Sequence, residues 1–389
     1  MKKKLLLLFL IFSFEVFSQT NERTIQILDS DTNLPVENAI VLILKTKQVL
    51  MTNADGKASF VLKGGSNLQI SHFSYSTAAV KWATLKLGEN IVYLKSKLVV
   101  LDAIIVTKEH PQNILISLVE NSIKKLSIPA RLKVYSREFF KLNGVYSYYN
   151  DGLINFQLVK NKKKIYSTLL VEQNRSFGLV EEEVSSDLLG YNLNDIMENY
   201  YSFKYLKPLL ESKAKKEYFF TIKSCSIDDA FYEISATPLE TLEGFRDDFK
   251  IIYDTQKKII TEISTEISPY TLSKAKEKTG DYSKNVVKSE FKATYRVDGA
   301  NYYLLSSKEN ISLESVIKNQ KKSIEVRNYL VTTNFNNLNF TYKESDVFKD
   351  KTLFNKKNSI LTSYWFYSGL TPTAEDQAII SIIEKNIDH

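Results

Sequence analysis

Between residues 22 and 96, turn signals recur so closely that no helix of ordinary length fits between them. Thr24-Ile25-Gln26-Ile27-Leu28 alternates apolar and polar residues and runs into the polar turn Asp29-Ser30-Asp31-Thr32-Asn33. Ala39 to Lys45 is a mostly apolar run. Asn53-Ala54-Asp55-Gly56 is a tight turn in which Gly supplies a positive φ that other residues resist. Ala58 to Leu62 resumes a strand, Gly64-Gly65 ends it, and Asn67 to Phe73 and Asn90 to Leu94 complete the pattern. Strands every ~8–12 residues with turns between them predict an all-β sandwich.

The first residues have a different character. Lys2, Lys3 and Lys4 precede an apolar run from Leu5 to Phe14 that is short for a bilayer span. Val16-Phe17-Ser18 before Gln19 offers a cleavage site. The expectation is a secretory leader over residues 1–18, which makes this an exported protein of the periplasm or the periplasmic face of the outer membrane. No Cys follows the run, so a lipid anchor is not expected. No later segment reaches the ~20 apolar residues of a membrane helix. Removing the leader takes three Lys and one Glu and lowers the formal net charge from +7 to +5. The remaining bases are interspersed with acids, as in Lys274 to Lys278, and Lys162-Lys163-Lys164 reads as a solvated hairpin tip. A nucleic-acid partner is therefore not expected. With one Cys, Cys225, there is no disulfide framework, and packing must hold the cores.

Residues 112–127 change period. Ile114, Leu115, Leu118, Val119, Ile123 and Leu126 share one face of an amphipathic helix stopped by Pro129. From Leu132 to about Phe340 the pattern returns to strands. Asn143-Gly144, Asp254 to Lys257 and Asp298-Gly299 mark hairpins, and Ile154, Phe156 and Leu158 alternate along one strand. Ser186 to Tyr200 reads as a helical insertion. Near the end, Tyr364 to Tyr367 form an aromatic cluster. Thr371-Pro372 or Thr373 then caps a last helix, with Glu375 and Asp376 in its first turn and Ile379, Ile380, Ile383 and Ile387 as its buried stripe.

The series LDSDTNLPVENAIVLI, TNADGKASF, LQISHFSYST and LDAIIVTKE resembles the carboxypeptidase-regulatory-like domain, an Ig-like module found ahead of many envelope proteins. The resemblance covers residues 22–107 and lies in Pro35, Ala39, Asp55-Gly56 and Phe60. The family's glycines in the first strand and before the later aromatic are replaced here, the latter by Ser74 ahead of Tyr75. Such modules carry no peptidase chemistry, so the resemblance implies scaffolding or docking. FKIIYDTQKKIITEIS and YRVDGANYYLLSS resemble the curled sheet of lipoprotein-carrier-like proteins, which implies an apolar cavity. The expected fold is mainly β, an Ig-like sandwich followed by a large antiparallel sheet, curled or half-barrel, with a few helices. The expected divisions are 1–18 leader, 19–107 sandwich, 108–130 bridging helix, 131–343 antiparallel sheet and 344–389 aromatic segment with closing helix.

A catalytic centre is harder to assemble. Only His72 and His110 lie away from the terminal His389, and there is no H-E-x-x-H, C-x-x-C, G-x-S-x-G or phosphate-binding glycine motif. Asp247-Asp248 and Glu181-Glu182-Glu183 read as solvated loops. Asp29-x-Asp31-x-Asn33 has the alternating oxygens of a calcium loop, but Leu34 and Ile40 occupy positions an EF-hand gives to Gly and Glu, so an Asx-rich turn is expected. No catalytic, cofactor or metal residues are assigned. The expectation is a non-enzymatic interaction or scaffold protein with an envelope protein partner. The alternative is a carrier or sensor of a lipid or other apolar ligand lined by Phe139, Tyr146, Tyr148, Phe156, Tyr166, Tyr253, Tyr295 and Tyr303. A hydrolase is the remote third.

Overall fold

The computed structural model describes residues 22–62, 64–97, 105–162, 164–178, 193–225, 229–275, 282–317, 320–337, 341–350, 353, 356–362 and 369–385. The leader, Glu181 to Glu183, the cluster Tyr364 to Tyr367 and Ile387 lie outside these residues.

Glu22–Asp29 (β1) lies between Lys57–Val61 (β4), antiparallel to it, and Gly88–Leu94 (β7), parallel to it. Facing this sheet is a second one. There Ile40–Ile43 (β2) pairs with Gln48–Met51 (β3) and Leu68–His72 (β5), and β5 pairs with Tyr75–Val80 (β6). The alternation in the first strand decides which side chains go inside. Ile25 and Ile27 are fully buried and meet Phe60, Val41, Ile43, Leu68 and Ile70 in one core. Each such side chain contributes about 1.5–3 kcal/mol by leaving water. Gly56 has φ +71°, and a Cβ there would lie 2.5 Å from the Ile27 carbonyl oxygen, so the turn requires glycine. Strands β3 and β6 were not expected from the sequence. Both are short, and neither alternates cleanly.

The large sheet holds Ala130–Leu142 (β8), Val145–Asn161 (β9), Lys164–Gly178 (β10), Tyr218–Ser224 (β11), Phe231–Pro238 (β12), Asp247–Asp254 (β13), Ile259–Ile267 (β14), Tyr282–Asp298 (β15), Asn301–Ile317 (β16) and Gln320–Asn336 (β17). Its order is β10-β9-β8-β17-β16-β15-β14-β13-β12-β11, antiparallel throughout and not closed into a barrel. It consists of two meanders joined where β8 pairs with β17. The expected hairpins are present, with Asn143 and Gly144 both at positive φ. The segments expected as separate strands at Val145–Tyr149 and Ile154–Leu158 are one strand, β9. Asp247 and Asp248 are not in a solvated loop. They open β13, where burial pushes both carboxyls upward.

The sheet presents two faces. On one, Pro111–Lys125 (α1) and Leu193–Tyr201 (α2) cover a core that includes Leu132, Val134, Ile154 and Ile263. Leu115, Leu118 and Val119 are the buried stripe of α1, and the His110 ring caps it by accepting the Gln112 N–H at 3.2 Å. Of the expected insertion, the described part is α2, with Ile196 and Met197 buried. On the other face sit the sandwich and Ala374–Lys385 (α3). Just before α3, Gly369–Leu370 (β18) adds to the sandwich as a parallel strand beside β3. Among the described residues, no helix is long and apolar enough to cross a membrane.

Candidate binding cleft

The sandwich is seated on the large sheet by two apolar contacts. Leu42 and Val49 pack on Leu305, while Met51 and Leu370 pack with Tyr135, Leu153 and Val331. Polar contacts tie the sandwich to the C-terminal segment and to the sheet. The Thr371 hydroxyl accepts the Ser59 N–H at 2.7 Å, the Asn53 amide donates to the Pro372 carbonyl at 3.3 Å, and Lys308 pairs with Glu37 at 3.7 Å.

Where the seat ends, the exposed sheet floor forms a cleft of about 260 Å³. A smaller one of about 130 Å³ runs under the sandwich, and the two share Lys292 and Lys308. Residues directly opposite in an antiparallel register share a face. One row across β13 to β16 is therefore Lys250, Ser264, Lys292 and Lys308, and the next is Asp248, Glu266, Glu290 and Asn310. The rows lie two residues apart along the strands, ~7 Å. A cationic stripe thus runs beside an acidic one.

These charges are unequally compensated. Lys292 pairs at 2.9 Å with Glu262, whose carboxyl is buried and raised by that burial while the lysine pulls it back. Glu290 pairs with Lys288 at 3.0 Å. Lys250 and Glu266 are both exposed and stand outside these pairs. The Asp248 carboxyl is pushed up by burial and by the neighbouring Glu266 charge, although Ser268 and Lys250 oppose this. Its Oδ1 has no hydrogen-bond partner among the described residues.

Under α3 lies a second polar feature, mostly buried. The Arg137 side chain is 0% exposed. Its guanidinium donates to the Tyr135 hydroxyl at 3.0 Å, to Asp376 at 3.3 Å and to the Leu370 carbonyl at 2.8 Å. Asp151 accepts from Arg175 at 2.8 Å, from the Tyr135 hydroxyl at 3.1 Å and from the Tyr149 hydroxyl. With so many mutual partners, this cluster joins β8, β9 and β10 to the C-terminal segment and has its charges already met within the fold.

The eight aromatics singled out in the sequence do not surround one space. Phe156, Tyr253, Tyr295 and Tyr303 share the helix-face core. Tyr148 belongs to a separate cluster with Phe140 and Leu313. Phe139 and Tyr146 pack with the isoleucines of α3 on the opposite face. Tyr166 is exposed beneath the Lys164 ammonium. None of the eight lines either cleft. The other sequence candidates are occupied locally. The Asp29 carboxylate accepts the Asp31 and Thr32 N–H groups, both at 2.8 Å, in the expected Asx turn. The Cys225 thiol donates to the Phe231 carbonyl, and burial raises it to about 12, far from a nucleophile. Burial, with Lys292 nearby, lowers His72 to about 4.

Sequence reading missed the cleft residues because each belongs to the polar half of an alternating strand, as in ITEISTEI and SEFKATYR. The alternation marked them as one face, and only the register shows that like charges align.

Fold and cleft together define a mainly β protein in which a small sandwich sits on a large open antiparallel sheet. No protein-family model matches the chain, and no curated protein matches it. Among solved structures it is similar to a protein of Bacteroides uniformis ATCC 8492 proposed to bind carbohydrate. The identity is 12% and the TM-score 0.17, over 39% of this chain and 97% of that one. It is also similar to lipovitellin, in a structure concerned with lipid–protein interactions, at 11% identity and a TM-score of 0.26. That match covers 59% of this chain and 28% of the other. TM-scores this low carry no argument about what this chain does.

Proposed function

We propose that the protein is a non-enzymatic, exported envelope protein that acts as an interaction module, with the cleft at the sandwich–sheet junction as its contact site. The observation that supports this reading is the fixed seat of the sandwich. Leu370 is clamped between β3 and the large sheet, so both parts line the smaller cleft, which adjoins the larger one on the sheet floor at Lys292 and Lys308. The resemblance of residues 22–107 to carboxypeptidase-regulatory-like modules agrees with a docking role. An apolar-ligand carrier would need space among the helix-face aromatics, where Tyr295 already stacks on Phe203 and Tyr303 on Phe335.

Deleting residues 22–107 is a poor test, because it uncovers Leu305, Tyr135 and Val331. Lys308→Glu is better. The Lys308 side chain is 47% exposed and central to both clefts. The variant is expected to keep the parent's circular dichroism and melting temperature while losing the envelope component that co-purifies with the parent. A natively folded variant that retains that component would overturn the proposal.

A further inference from the structure

We propose that the cleft selects a short zwitterionic peptide, bound through its free ammonium and its free carboxylate. This rests on the larger of the two adjoining clefts, the one on the sheet floor, being part of the contact site, and adds the chemistry of its occupant. The two stripes supply the recognition. Glu266, which is exposed, and Asp248 beside it line the cleft with negative charge that nearby bases only partly offset. Two residues along the same strands, Lys250 stands exposed in the cationic row beside Ser264 and Lys292.

A ligand of one charge would be attracted by one stripe and repelled by the other, which disfavours a polyanion or a polycation. A zwitterion satisfies both. The stripe separation of ~7 Å matches the span of two extended residues, so the termini of a dipeptide reach both rows at once. At about 260 Å³ the cleft falls just below the usual range for larger small-molecule ligands, which fits an occupant of this size. The bound ammonium would pair with the exposed Glu266 carboxylate. Charge-assisted hydrogen bonds of this kind are the stronger class.

Titration calorimetry of the full chain with alanyl-alanine, its N-acetyl form and its C-terminal amide tests this directly. Free dipeptide is expected to bind at least tenfold more tightly than either capped form. Glu266→Gln should abolish the preference for the free amine, and Lys250→Ala the preference for the free carboxylate. Both positions are exposed and outside the ion pairs described above, so both variants should fold. Equal affinity for capped and free dipeptides, or no heat from any of them at millimolar concentration, would sink the inference. If the dipeptide fails while Lys308→Glu still loses its co-purifying component, only the ligand class falls. If that component is retained as well, the contact site falls with it.

Discussion

Glu138 sits inside β8, and the group that holds it is the amide of Asn150, donating at 3.2 Å, rather than a cation. Burial raises its carboxyl to about 7, with hydrogen bonding opposing the shift. A raised acid binds its proton more tightly in the folded chain than in the unfolded one. Its contribution to stability is therefore greatest below the unfolded value near 4.5 and is lost as pH rises through 7. The cost of ionising it is on the order of 3 kcal/mol. Glu138→Gln keeps an acceptor for Asn150 and removes the charge. Its melting temperature should exceed the parent's at pH 8 and match it near pH 5, and a pH-independent difference would contradict this account. His72 has the opposite sign. Lowered to about 4 by burial, it stabilises above 6.5 and loses that contribution as pH falls. None of this is readable from the sequence, because a Glu or His on an alternating strand gives no sign of which face will be covered.

At the scale of elements, the helix α3 shows what pattern reading can reach. The Thr373 hydroxyl accepts the Asp376 N–H at 3.0 Å, and Asp376 accepts the Thr373 N–H at 3.1 Å, a reciprocal cap. Thr373, the acidic first turn and the isoleucine stripe were all visible beforehand, since capping and periodicity are local. What was not visible is that the same Asp376 neutralises Arg137, which lies 239 residues earlier. Thr373→Ala should cost about 1 kcal/mol, as caps do. Asp376→Asn should cost more, about 3–5 kcal/mol, because it strips a buried guanidinium of a counter-charge. Denaturant titration of the two variants checks the order, and equal costs would mean that Asp376 acts as a cap alone. Hairpins were legible for the same local reason, whereas β18 was not: two residues following Ser368 form a strand only because β3 offers an open edge.

For the whole molecule, the shared apolar seats imply that sandwich and sheet melt together. Calorimetry should show one cooperative transition. Leu305→Asp places a charge against Leu42 and Val49 and should split that transition in two, with the sandwich, held by its own core of Ile25, Phe60 and Ile70, melting separately. A single transition in the variant would mean that the seat at Leu370 suffices. The two β-rich regions and the helix between them were readable from period and turns. Their mutual placement was not, because it depends on a few residues whose partners lie hundreds of positions away.

That distance has a consequence in time. Asn53 and Pro372, which hydrogen-bond across the clamp, are 319 residues apart. At ribosomal rates the sandwich waits roughly 15–60 s for the strand that fastens it. Leu42 is covered once Leu305 is in place and Met51 in part by Tyr135, Leu153 and Val331, so a chain interrupted before residue 369 lacks the Leu370 side of the seat. The clamp thus closes last: a fragment keeps the Leu305 contact while the Leu370 side of Met51 stays open, and only chains that reach β18 cover it.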